Sequence, residues 1–160
     1  MFLICSAIVL FSGCAEIGGV LGNCSEAQRV ALREYGFNLG IAFQIVDDVL
    51  DYTSDEKVLG KPIGGDLREG KVTLPVILWL QGRPSREKGE ARALVEAAGR
   101  DDDARGRLVR HLAADGALAA ADAAARDEAT AAEAALAPLS ASPDRELLRT
   151  IADYVVRRAL

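Results

Sequence analysis

From Gly36 to Leu50 the sequence is apolar on nearly every side of a helix, yet it carries Asp47 and Asp48 side by side and Asp51 one turn later. A helix apolar all round is buried on most of its sides. Unpaired charge in such surroundings is costly, and like charges one turn apart repel. Helical geometry stacks Asp47 and Asp51 on one face and turns Asp48 about 100° away. Both penalties disappear if a hard cation binds there. Mg2+ suits such a set, because it takes one or two carboxylates and leaves its other positions to water and phosphate oxygens. The DDxxD pattern alone also fits an acidic edge on a surface helix. The apolar neighbours Phe43, Ile45, Val46, Val49 and Leu50 favour the cation site.

The rest of the chain fits an all-α fold. No strand alternation persists, and no hairpin dipeptide joins two β-branched runs. Residues 1–21 read as an apolar helix ending near Gly22-Asn23. Ser25 with Gln28 has the pattern of a capping box and opens a helix to about Tyr52. Residues 53–72 read as loop, since Gly60, Pro62, Gly64, Gly65 and Gly70 punctuate them too densely for a helix. Thr73-Leu74-Pro75 starts another helix, with Pro in the first turn. Residues 85–137 are rich in Ala, Arg, Asp and Glu and divide into about three helices, with Leu94, Leu108, Leu112 and Leu136 among thin apolar stripes. Pro143-Asp144 opens a last helix, on which Leu147, Leu148, Ile151, Tyr154 and Val155 follow helical spacing. A single domain over 1–160 is expected, with site-bearing helices and loop in 1–84 and Ala-rich helices in 85–160.

The loop strengthens the reading of the aspartates. Gly60-Lys61-Pro62-Ile63-Gly64-Gly65-Asp66-Leu67-Arg68-Glu69-Gly70-Lys71 follows them directly. Glycines let backbone approach a phosphate, and Lys61 and Lys71 supply point charges. Alone, the segment would read as a flexible loop with two solvated lysines. Behind DDxxD, it provides the cations that a metal-bridged diphosphate also needs.

Charge and composition remove other classes. A net charge of −5 and a pI near 5.0 argue against nucleic acid, which needs a clustered basic surface. Cys5, Cys14 and Cys24 lack zinc spacing and read as reduced core thiols of a cytoplasmic protein. Met1 to Ala15 has no Lys or Arg before it and meets Glu16 short of the roughly 18 apolar residues of a membrane span. A buried helix is therefore expected there, rather than a transmembrane span or the lipoprotein signal that Phe11-Ser12-Gly13-Cys14 would otherwise suggest. His111 reads as a solvated helix position, and Asp101-Asp102-Asp103 as a helix start.

FQIVDDVLDY followed by LGKPIGGDLREGKVTLPVI resembles the second aspartate-rich region of polyprenyl (trans-isoprenyl) diphosphate synthases. SGCAEIGGVLG, LREYGFNLGIAFQ and the terminal IADYVVRRAL are similar to those enzymes as well. The resemblance implies an antiparallel helical bundle of the isoprenoid synthase type around a deep cavity. It also implies elongation of an allylic prenyl diphosphate with isopentenyl diphosphate, assisted by Mg2+. Carried over to matching positions, Asp47 would bind Mg2+ directly, with Asp48 and Asp51 binding through water or supporting it. Lys61 would hold the allylic diphosphate with help from Lys71, and Asp66 would orient the lysines. Gln44, beside Phe43, would face the reacting prenyl end, where its amide dipole could stabilise positive charge. A homodimer, or a heteromer with a full-length synthase, is implied too.

Members of that family use two facing aspartate-rich motifs, and only 46 residues precede Asp47 here, without the first motif. The expectation is a C-terminal half that does not turn over alone and that exposes apolar faces. A non-catalytic diphosphate-binding subunit of a heteromeric synthase is the alternative.

Overall fold

The computed structural model describes residues 2–53 and 63–158, with side chains from Ser6 onward. Regular structure among them is helical throughout: α1 (Phe2–Leu21), α2 (Glu26–Thr53), α3 (Gly65–Arg68), α4 (Leu74–Gln81), α5 (Lys88–Ala98), α6 (Asp102–Ala114), α7 (Ala117–Ala135) and α8 (Pro143–Arg157). The expected capping box opens α2. Ser25 N donates to Gln28 Oε1 at 3.0 Å, and Gln28 N donates to Ser25 Oγ at 3.4 Å. One element escapes the sequence reading: α3 is a helical turn inside the segment read as loop. Four residues are too few for any apolar period to show.

The chain divides into two compact units, Met1–Val46 with Ala124–Leu160, and Asp47–Ala123. In the first, α1 and α2 meet at small residues. A Cβ at Gly36 would lie 2.4 Å from the Phe11 carbonyl oxygen, and one at Gly40 would lie 2.8 Å from Ile8 Cα. Only glycine admits backbone that close. Tyr35, buried on α2, donates its hydroxyl to the Leu148 carbonyl at 2.8 Å. Burial, reinforced by Glu133, pushes that hydroxyl up to about 12.

Burial in this unit differs from the sequence reading in three places. α1 is covered on one side only: Val9, Leu10, Ile17 and Leu21 are exposed. Cys14 is exposed and unpaired rather than a core thiol, while Cys24 is half-buried and free. On α8 the buried stripe is Ala152, Val155 and Val156, whereas Leu147 and Tyr154 stand 58 % and 66 % exposed. Side-chain size misleads there, because the helix packs through a small residue. The same preference runs along α7, where Ala125, Ala129 and Ala132 are buried.

The second unit is built around Tyr52, Leu67, Val76, Trp79, Ala98, Leu108 and Leu112. α6 starts at the acidic run: the Asp101 carboxylate accepts from Asp103 N and Ala104 N, both at 3.2 Å. That is an N-cap. Trp79 Nε1 donates to Asp115 Oδ2 at 2.9 Å. Arg83 pairs with the same oxygen at 2.9 Å and lies 5.2 Å over the Trp79 ring. His111 is half exposed and 3.6 Å from Asp115, a surface position as the sequence indicated.

Candidate functional site

The three aspartates occupy the last two turns of α2, which has no basic residue in its final turn. The C-terminal end of a helix carries partial negative charge, so the helix itself opposes them. Their environments differ sharply. Asp47 is exposed and forms no hydrogen bond or ion pair among the described residues. Asp48 is only 7 % exposed, and Asp51 is half-buried.

Asp48 and Asp51, at i and i+3, are the pair held by other elements. Asp48 Oδ2 accepts a long bond, 3.4 Å, from Leu74 N at the start of α4. Thr73, the N-cap residue of α4, makes no side-chain cap hydrogen bond; its hydroxyl lies 2.6 Å from that of Tyr52. Burial raises the Asp48 carboxyl to about 6 against the help of Leu74 N–H, with Asp66, Asp47 and Asp51 adding repulsion. Asp51 is fastened to the glycine-rich turn. Its two carboxylate oxygens accept from Gly65 N and Asp66 N, each at 3.1 Å, and its carbonyl accepts from Gly64 N at 2.9 Å. Burial still raises it. Asp47 and Asp51 keep the one-turn spacing of a continuous helix, and Asp47 adds repulsion to Asp51. To this the fold adds a division of labour, one exposed carboxylate beside two that other elements engage. Residues three apart on a helix are neighbours as well, and the elements following α2 engage that pair.

Gly64 sits at φ +74° immediately before α3, a left-handed conformation that glycine adopts without strain. It turns the chain so that the first N–H groups of α3 meet Asp51. Beyond α3, Asp66 Oδ1 holds Lys71 Nζ at 2.9 Å, and Glu69 holds it at 2.7 Å. Those two carboxylates, Glu69 first, keep the ammonium protonated above the usual lysine range. Lys61 lies outside the described residues. Phe43 and Gln44 are half-buried on α2 one turn before Asp47. The Phe43 ring lies 5.4 Å from that of Phe11 and 4.4 Å beneath the Arg158 guanidinium.

Tyr52 and Thr73 were not singled out by sequence reasoning. A tyrosine adjoining an aspartate cluster and a threonine before Leu-Pro are each ordinary, and only their 2.6 Å contact joins them to the site.

The family model for polyprenyl synthetase matches residues 5–113. The chain belongs to the polyprenyl synthetase family. A short chain isoprenyl diphosphate synthase of Methanothermobacter thermautotrophicus is 37 % identical over 149 residues, spanning 93 % of this chain and 45 % of that protein. The octaprenyl diphosphate synthase of Escherichia coli is 37 % identical over 158 residues, with 93 % and 46 % covered. The polyprenyl synthase of Caulobacter crescentus, crystallised with calcium and isoprenyl diphosphate, superposes with a TM-score of 0.84 at 38 % identity, over 94 % of this chain and 46 % of that one. The chain therefore spans just under half the length of these relatives. The likeness to solved family members bears out the all-α bundle of the isoprenoid synthase type. Among the described residues, no helix is long and apolar enough to cross a membrane.

Proposed function

We propose that this chain carries the diphosphate-binding half of a prenyl diphosphate synthase that elongates an allylic diphosphate with isopentenyl diphosphate. The observation that carries the reading is the junction of Asp51 with the Gly64–Asp66 turn. It joins the acidic end of α2 to the segment that presents Lys71.

The residues fit Mg2+. The candidate donors at the end of α2 are carboxylate oxygens, the ligand type of an ion that keeps most of its positions for water and phosphate oxygens. Asp47 is free to ligate, Asp48 is buried with one long bond, and Asp51 supports the site through the turn. Asp47, with Asp48, would hold the ion, which when bound would neutralise charge on the departing diphosphate.

The remaining roles belong to the chain. Lys71, held protonated by Asp66 and Glu69, offers a fixed point charge to the diphosphate, and Lys61 a second. The allylic C–O bond breaks with its electron pair leaving on diphosphate. The isopentenyl double bond then attacks the allylic carbon, and loss of a proton restores neutrality. Gln44, next to Phe43, would turn its amide oxygen toward the transient positive charge.

The test is transfer of radiolabelled isopentenyl diphosphate to an allylic primer with Mg2+, by this chain alone and beside a full-length synthase. Mg2+-dependent binding of pyrophosphate is measured in parallel. Binding that disappears in Asp47→Ala supports the reading; undiminished binding in that variant removes it.

A further inference from the structure

Arg105 is a charged residue with no place in the site described so far. It lies on the second turn of α6 and is 5 % exposed. Among the described residues its buried Nε has no hydrogen-bond partner, and its guanidinium pairs only with Asp102, a side chain 79 % exposed. As a contribution to stability this is poor. A buried charge that is imperfectly paired costs more than an apolar side chain of similar volume filling the same space.

The position of its stem accounts for it better. A Cβ at Gly64 would lie 2.7 Å from Arg105 Cδ and 3.0 Å from Cγ, so the arginine stem backs directly onto the left-handed residue that starts α3. At its far end the same arginine meets Asp102, whose Oδ1 also accepts from Arg68 Nη2 at 3.0 Å. Arg68 is the last residue of α3. Asp102 therefore bridges two arginines, one pressing on the turn before α3 and one closing α3. Arg105, then Arg68, draw its carboxyl below the usual range. α3 is the element whose opening N–H groups hold the Asp51 carboxylate.

We infer that Arg105, Asp102 and Arg68 form a clamp on α3 that positions the Asp51 carboxylate, and through it the diphosphate site. The inference rests on the proposed function for its consequence but not for its geometry. The clamp touches neither the aspartates nor Lys71, so these are positioning residues rather than catalytic ones.

Asp102→Ala is the first variant: the side chain is itself exposed, and its loss removes the carboxylate from both Arg105 and Arg68. The thermal midpoint is therefore expected to fall, as Arg105 is left buried without its partner. Arg105→Met is the second; it keeps the stem and removes the charge. Three measurements are made on each: amide hydrogen exchange, the thermal midpoint, and Mg2+-dependent pyrophosphate binding. Asp102→Ala is expected to speed exchange at Gly65 N and Asp66 N while Leu108 and Leu112 exchange as before. Pyrophosphate binding should weaken about tenfold, as when an outer support of a metal site is removed, and Asp102→Glu should recover most of it. Arg105→Met should behave like Asp102→Ala at the same two amides with an unchanged or higher midpoint. Exchange that rises evenly through the unit, or not at all at Gly65 and Asp66, overturns the clamp. So does local acceleration with binding intact. Asp47→Asn separates the two ideas: if it binds pyrophosphate like the parent, the site reading fails, while exchange at Gly65 and Asp66 still decides the clamp.

Discussion

The hydroxyls of Tyr52 and Thr73 lie 2.6 Å apart, and both side chains are buried. Thr73 is the N-cap residue of α4 and Tyr52 follows Asp51 directly, so this contact ties the start of α4 to the acidic end of α2, beside the bond from Leu74 N to Asp48. Burial, opposed by the Thr73 bond and aided by Asp51 and Asp48, raises the phenol well above its ordinary range. Tyr52 therefore stays protonated and able to donate.

Tyr52→Phe should lower stability by about 1 kcal/mol, the net value of one buried hydrogen bond. Urea unfolding followed by circular dichroism measures it. A loss several times larger would mean that the Thr73 hydroxyl is left buried without a partner, and no loss would mean that the contact is energetically idle.

Gly36 and Gly40 are expected to be the least replaceable residues on α2. Their missing side chains are where the Phe11 carbonyl and the Ile8 backbone sit. A methyl at either site meets main chain, which cannot rotate aside as a long side chain does, so α1 must move bodily. Gly36→Ala and Gly40→Ala should each cost about 1–3 kcal/mol as overpacking, against the gain of up to about 1 kcal/mol that alanine brings to an exposed helix. Thermal unfolding decides between these signs.

Tyr35→Phe tests how α8 is held. The hydroxyl bonded to the Leu148 carbonyl at 2.8 Å is a part-buried polar link from α2 to that helix. Its removal should cost about 1 kcal/mol. Amides of α8 should exchange faster, while those of Leu108 and Leu112 in the other unit keep their rates.

Much of this was legible in the sequence, for identifiable reasons. The capping box at Ser25 and Gln28, the Leu-Pro start of α4 and the acidic start of α6 depend on short-range chemistry, which residue order carries in full. DDxxD in an apolar helix singles out the candidate carboxylates for the same reason: residue type and spacing suffice to pick them. The distinction among the three aspartates was not legible. Which carboxylates are engaged depends on Leu74, which reaches Asp48, and on Gly65, which reaches Asp51, and both meet α2 only through the tertiary fold. Arg105 was invisible because a lone arginine in an Arg-rich helix carries no pattern. The stripe of α8 was misplaced because Leu147 and Tyr154 outweigh Ala152 in any hydrophobic ranking, although the close approach of a helix selects the smaller residue.

The difference between Asp47 and Asp51 gives a separable pair of variants. Asp51 accepts two backbone N–H groups of the turn, which have no other acceptor among the described residues. Asp51→Ala leaves both without a partner and should cost about 1–3 kcal/mol, with Gly65 and Asp66 amides exchanging faster. Asp47 has no such commitments, and surface substitutions of that kind stay within about 0.5 kcal/mol. Asp47→Ala can even stabilise the metal-free chain slightly, since it removes a negative charge from the C-terminal end of α2 and a repulsion acting on Asp48. With EDTA present, unfolding midpoints should therefore fall for Asp51→Ala and hold or rise for Asp47→Ala. With Mg2+ and pyrophosphate added, the parent midpoint should rise, as it does for any protein whose folded state alone binds the ligand, and that of Asp47→Ala should not. If Asp47→Ala destabilises without metal as much as Asp51→Ala does, Asp47 is a structural residue, and the division of labour at the end of α2 is wrong.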